Sequence, residues 1–232
     1  MLRLASAGVV LLVLALGSPA GASFHDMQIE QVVGGVCGNP AAQAIQLRMR
    51  AAGQNLVSGK KLIAYDAGGN NPITLLTFPA NVTNSALGTR ILVTTAEANA
   101  AFGITGDFLL SQGIPESYLA TGKVTFEDPV FFGILWSLAW GGYAPSNTGN
   151  TENDPDGNFS PPLAIRLPYS QARSVLFQGA AGALSTNNAA DYAQTAGAAV
   201  LTNNAAGTST TPSCLFGDGF LSGDLSAWSA SQ

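Results

Sequence analysis

The sequence predicts an all-β protein, a sandwich or a barrel, on three observations. Short runs alternate polar and apolar residues with period two, clusters of Gly, Pro and Asn separate those runs, and charge is scarce. Of the 232 residues, 10% are charged and 47% apolar, with 27 glycines, 12 prolines and a single histidine. An average soluble domain carries about 25% charged residues. Disorder requires the opposite balance, low hydrophobicity with high net charge, so the chain is expected to fold.

The elements follow in order. Ile45-Gln46-Leu47-Arg48-Met49-Arg50 alternates without a fault and predicts a strand with one buried face. Lys61-Leu62-Ile63-Ala64-Tyr65 and Ile91-Leu92-Val93 are continuous apolar runs, expected of strands covered on both faces. Thr95 can cap a short helix over Ala96–Phe102, with Glu97 in its first turn. Lys123-Val124-Thr125-Phe126-Glu127 alternates again, and Val130–Trp140 is apolar enough for a buried strand but too short to span a bilayer. Asp191–Leu201 is Ala-rich, yet Gly197 and the lack of an apolar stripe argue against a helix there. Turn signals stand at Gly34-Gly35, Ala67–Pro72, Gly141-Gly142 and Asp154–Gly157.

The N-terminus reads as a secretory leader over residues 1–22. Arg3 is a positive n-region, Leu4–Leu16 is almost continuously apolar, and cleavage is expected after Ala22. No later segment has the length and apolarity of a transmembrane span. The expected product is secreted, periplasmic or held at the cell surface, and monomeric. Export favours a disulfide between Cys37 and Cys214, the only two cysteines. A main domain is expected over residues 23–207. From 208 to 232 the chain reads as a Thr/Ser-rich linker followed by a tail, Gly217-Asp218-Gly219-Phe220-Leu221-Ser222-Gly223-Asp224-Leu225-Ser226-Ala227-Trp228-Ser229. This ending resembles the D-G-F-x-S-G-D-x-S-x-W-S tails of many secreted bacterial proteins.

Composition excludes several functions. A net charge of -5 with nine Lys and Arg gives no phosphate-tracking stripe, so no nucleic-acid partner is expected. His25, near the expected mature N-terminus, is a poor candidate for a Ser-His-Asp or Cys-His centre. Zinc-ligand spacings are missing from the sequence. Glu116, Glu127 and Asp128 leave a carboxylate-only glycoside hydrolase as a formal possibility. Gly53–Lys61 is not a phosphate loop: five residues separate its glycines and Lys61 stands where Ser or Thr is needed. The chain is therefore expected to be a non-enzymatic module without a resident cofactor.

Three features point to binding. Glu152, Asp154 and Asp156 followed by Gly157 copy the opening of a calcium loop, though Leu163 stands where its closing acid belongs; a solvated turn is the other reading. Trp136, Trp140 and Tyr143 can form a sugar-stacking platform or belong to the core. The loops Ala67–Pro72, with Asn70 and Asn71, and Pro145–Pro161 are long and polar, suited to recognising an extracellular protein or glycan. Asn81 and Asn158 open N-x-S/T sequons.

A set of motifs in order adds a resemblance. Ala44-Ile45-Gln46-Leu47-Arg48, Asn55–Leu62, Phe78-Pro79-Ala80-Asn81 with Leu87-Gly88 and Ile91-Leu92-Val93, and then Ala164–Leu167, Thr186–Tyr192 and Thr202–Gly207 resemble, over about residues 27–207, the lamin-tail domain family in its secreted bacterial branch. Gln46 and Lys60 depart from the family's Glu and Trp. The resemblance implies an immunoglobulin-like β-sandwich with long loop insertions and one or two short helices, used as a binding or surface module, and it carries over no catalytic residue.

Overall fold

The structure, a computed structural model, describes residues 25–151, 153–154, 156–185, 187–210, 212 and 214. Ten strands form two sheets: β1 (Met27–Val33), β2 (Ala44–Met49), β3 (Lys61–Tyr65), β4 (Ile73–Thr77), β5 (Arg90–Thr94), β6 (Phe108–Leu109), β7 (Gly122–Asp128), β8 (Gly133–Trp140), β9 (Val175–Phe177) and β10 (Tyr192–Gln194). One sheet has six strands in the order β10-β9-β1-β2-β5-β6, and the other four in the order β4-β3-β7-β8. The protein is an all-β sandwich, with β1 packed across β7 and β8 of the facing sheet.

The core lies between the sheets. Ile29, Ile45, Leu47, Ile91 and Val93 meet Leu62, Val124, Phe126, Trp136 and Leu138, all fully buried. This is the period-two pattern at work, since alternate residues of each strand point to one face. Among the described residues there are three helices, α1 (Ala96–Phe102), α2 (Glu116–Leu119) and α3 (Asn188–Asp191), one more than the expected upper number. In α1 the Thr95 side chain accepts from Ala98 N, as the sequence predicts, and Gly103 closes the helix in the left-handed region. The third helix is a single turn that Asn187 caps by accepting from Ala190 N, and the chain then enters β10. The Asp191–Leu201 stretch thus holds a strand, fixed by pairing of Tyr192–Gln194 with β9.

Three strands differ from their sequence patterns. The strand β3, expected to be covered on both faces, buries Leu62 and Ala64 but leaves Lys61, Ile63 and Tyr65 only half-buried. The Gln46 and Arg48 face of β2 is not solvated: both residues are buried, beneath the chain around residues 179–180 and 202. In Val130–Trp140 the strand begins only at Gly133, while Val130 and Phe131 stand in the β7–β8 turn, exposed. Asp128 forces this by accepting from Val130 N and Phe131 N through Oδ1, which bends the backbone out of the ladder.

Cys37 and Cys214 are joined by a disulfide across a sequence separation of 177. Residues 208–210, read from composition as linker, are tied to the sandwich: Ser209 N donates to Leu201 O and Thr210 N to Phe102 O. The tail from residue 215 and the leader lie outside the described residues. Among the described residues, no helix is long and apolar enough to cross a membrane.

Candidate functional site

At the end of the sandwich where β3 leaves the sheet, one carboxylate organises an exposed loop. Asp66 Oδ1 accepts from Gly68 N at 2.9 Å and Asn70 N at 2.8 Å, and Oδ2 accepts from Asn71 Nδ2 at 2.6 Å. These bonds hold its carboxyl below the usual range, the contact with Asn70 contributing most. Asn71 takes the left-handed conformation (φ 48°) that Asn tolerates better than most residues, and its carbonyl accepts from Tyr118 Oη at 3.0 Å. Gly69 is required: at φ 71° a Cβ there would lie 2.6 Å from Tyr143 Oη and 3.0 Å from Pro145. The loop is therefore seated on Tyr143 and Pro145, with Asn70 and Asn71 exposed to solvent.

Behind the loop, Lys123 is held in an aromatic slot. Its Nζ lies 4.6 Å from the Tyr65 ring centre and 5.3 Å from that of Tyr143. Burial lowers the Lys123 pKa, with the Glu127 charge opposing. Burial, reinforced by Glu127, pushes the Tyr65 phenol up to about 12; its Oη donates to Glu127 Oε1 at 3.0 Å. Of the expected site residues, Asn70, Asn71 and Tyr143 come together here.

The tryptophans do not join them. Trp136 and Trp140 are fully buried and Tyr143 is 3% exposed, so the sugar-stacking platform is overturned. The indole nitrogens explain why these large rings sit inside: Trp136 Nε1 donates to Tyr192 Oη at 2.7 Å, and Trp140 Nε1 to Tyr118 O at 2.9 Å. Strand geometry puts both on one face, as expected, and that face is the core.

The Pro145–Pro161 segment is not an end loop either. It lies along β8, the edge of the four-stranded sheet: Asn150 N donates to Ile134 O, and farther on Leu163 N donates to Ala139 O. Asn147 and Asn188, both fully buried, complete this edge. Asn147 Nδ2 donates to Asn188 Oδ1 and Phe159 O, its Oδ1 accepts from Ser137 Oγ, and Asn188 Oδ1 accepts from Ala139 N. Covering an edge strand in this way withdraws it from pairing with other chains.

The acidic loop falls where this segment reaches the far end of the sandwich. Glu152 lies outside the described residues. Asp154 is 2% exposed, and its Oδ2 is buried without a hydrogen-bond partner among the described residues. Burial and the neighbouring Asp156 carboxylate push the Asp154 pKa up to about 6, while Asp156 is lowered by the Asn158 amide it accepts from. Arg50 stacks over Trp136 at 5.5 Å and is held by Asn153 O and Oδ1, supplying positive charge nearby. Among the described residues, no group of three or more His, Cys, Asp or Glu side chains is placed to hold a metal.

The remaining sequence candidates are scattered. Glu116 is exposed at the start of α2, whereas Glu127 is bonded to Tyr65 and Thr125. Asp128 forms an ion pair with Lys60 at 2.6 Å. His25 is docked: its backbone N–H donates to Gln54 Oε1 and its ring lies 5.7 Å from Phe132.

One polar cluster escaped the sequence reading. On the outer face of the six-stranded sheet, Glu30 accepts from Arg90 Nε at 2.7 Å and from Gln46 Nε2 at 2.8 Å, and lies 3.1 Å from Arg48. A cleft of about 340 Å³ opens over Glu30, Gln46, Arg90, Phe177 and Thr202. Each of the three partners is an ordinary strand residue in sequence, and only register brings them together. Comparison with protein-family models and with curated proteins returns no match.

Proposed function

We propose that the chain is an exported, non-enzymatic binding module, of the lamin-tail-like type its motifs resemble, that recognises an extracellular glycan or protein through the Asp66–Asn71 loop. The observation that carries this reading is the loop's preorganisation. Asp66 fixes three donors, Gly69 seats the backbone on Tyr143, and the Asn70 and Asn71 side chains stand in solvent at an end of a rigid sandwich. Polar groups fixed before binding lose little entropy when a ligand arrives. Scarce charge and a dispersed set of carboxylates support the non-enzymatic part. Asp66→Ala, which releases the loop without touching the core, is the test: binding to arrayed glycans and surface proteins is expected to fall at least tenfold, with the thermal midpoint nearly unchanged. Equal binding by the variant would remove the loop from the proposal.

Calcium is a second reading, favoured by the buried, unpartnered Asp154 Oδ2 beside Asp156. A cation there would supply the missing partner, since carboxylate oxygens are its preferred ligands. Millimolar calcium is then expected to raise the melting temperature relative to chelator, and Asp154→Asn to abolish the difference. Identical melts with calcium and with chelator would sink this reading.

A further inference from the structure

The outer face of the six-stranded sheet carries more positive charge than its own stability requires. Glu30, at the cleft of about 340 Å³, is met by two guanidiniums, with Arg48 Nη1 at 3.1 Å and Arg90 Nε at 2.7 Å. Arg48 alone would neutralise it. Arg48 is also the structural member of the pair: it is buried, and its other nitrogens donate to Gln28 Oε1, Gly179 O and Ala180 O. Arg90 is therefore surplus. Among the described residues, neither guanidinium has a second carboxylate in ion-pair range. The cluster keeps one unmatched positive charge, in a chain whose net charge is -5.

Arg90 is placed to use that charge. Its side chain is 36% exposed, and Glu30 grips one edge of it, taking Nε through Oε2 and Nη2 through Oε1. A guanidinium has five N–H groups. Nη1 and the second Nη2 hydrogen stay without a partner among the described residues, and together they form an end-on fork for another carboxylate. Because Glu30 already fixes the opposite edge, the fork needs little ordering when a ligand arrives. The cleft around it is mixed in character. Thr202 N donates to Gln46 Oε1 and Gln31 Nε2 to Ser174 Oγ, while the Thr202 hydroxyl and the Gln31 carbonyl oxygen make no hydrogen bond among the described residues. Leu176 and Val200, the latter 59% exposed, give the cleft an apolar side. A fixed cation, unused hydrogen-bonding groups and an apolar wall suit a small ligand with a carboxylate, hydroxyls and a C–H face.

We propose that this cleft is a second binding site, for an acidic sugar of the uronic-acid class, with Arg90 pairing its carboxylate. The sugar hydroxyls meet Thr202 and Gln31, and the C–H face of the ring lies on Val200 and Leu176. The cleft shares no residue with the Asp66–Asn71 loop, so it stands or falls independently of the recognition proposed there. The carboxylate contact is partly open to water, and salt therefore weakens the association.

The test is an NMR titration of the isotope-labelled full chain with glucuronate, beside glucose, which lacks the carboxylate, and acetate, which lacks the ring. Glucuronate is expected to bind at least tenfold more tightly than either, to shift the Arg90 Nε–H and Thr202 amide signals, and to bind less tightly as salt is added. Arg90→Gln, in which Arg48 still neutralises Glu30, is expected to lose at least tenfold of the affinity. Val200→Glu changes an exposed position and leaves the Glu30 cluster intact, so it tests the cleft even if Arg90→Gln folds poorly. That variant is expected to lose at least fivefold of the affinity while melting like the wild type. Asp66→Ala is expected to bind glucuronate like the wild type, so a failure of the recognition loop and a failure of the cleft are separate results. Three outcomes overturn the proposal: no glucuronate binding by the wild type, equal affinity for glucose or acetate, or unchanged affinity in Val200→Glu or in folded Arg90→Gln.

Discussion

At the scale of residues, two carboxylates set opposite conditions on stability. Glu30 is 3% exposed and fully matched by Arg48, Arg90 and Gln46. Burying such a group costs free energy that its partners offset, so removing it leaves the buried Arg48 guanidinium, whose pKa burial already lowers, short of its counter-charge. Glu30→Ala is expected to destabilise the protein by about 3–5 kcal/mol in urea titration; a loss below 1 kcal/mol would show the cluster to be dispensable. Asp154 behaves oppositely. Its pKa in the folded state is raised to about 6 from an ordinary 3.8, so the folded protein holds the proton more tightly than the unfolded chain. The penalty of ionising it is present above about pH 6 and disappears as pH falls toward 3.8. Without metal, acidification from pH 7 to pH 5 is therefore expected to stabilise the wild type relative to Asp154→Asn; parallel pH profiles in melting experiments would contradict that assignment.

Among the elements, β8 shows how polar side chains substitute for a strand. Its outer edge is closed by Asn147 and Asn188, with Ala139 N donating to Asn188 Oδ1. Asn188→Ala is expected to cost about 1–3 kcal/mol, the penalty of a buried donor left unmatched, and to speed amide exchange at Ala139. Unchanged exchange would mean that the edge is held by other contacts. Elements whose period-two pattern ran cleanly, β2 and β7, were legible in the sequence, as was α1 with its Thr95 cap, whereas β3 was read as covered on both faces and is buried on one. The central strand β1 was not, because Glu30 and Gln31 interrupt its apolar face around a bulge between Ile29 and Gln31. For the same reason the Glu30 cluster was invisible: residues from three strands meet through register alone. Asn70 and Asn71 could be singled out from turn chemistry, whereas Trp136 and Trp140 could not be placed, since identical spacing serves a core face and a binding face equally.

For the molecule as a whole, the Cys37–Cys214 disulfide and the preorganised Asp66–Asn71 loop define behaviour. The Cys37–Cys214 bond closes a loop of 177 residues. In the chain-entropy treatment that is worth about 4–5 kcal/mol, so Cys214→Ser or reduction is expected to lower the melting temperature by several degrees. Scarce charge is also easier to interpret once the fold is in place, since Glu30, Arg48, Arg50 and Lys123 are buried against specific partners rather than spread over a solvated surface. What the 67–72 loop turns to water is Ala, Gly, Asn and Pro, held by the half-exposed Asp66 carboxylate. The most direct measurement of the central claim is a binding comparison of wild type and Asp66→Ala on arrayed glycans and surface proteins. The account predicts a ligand bound by the wild type and lost at least tenfold in the variant, with folding intact. Binding that is indifferent to Asp66 would contradict it.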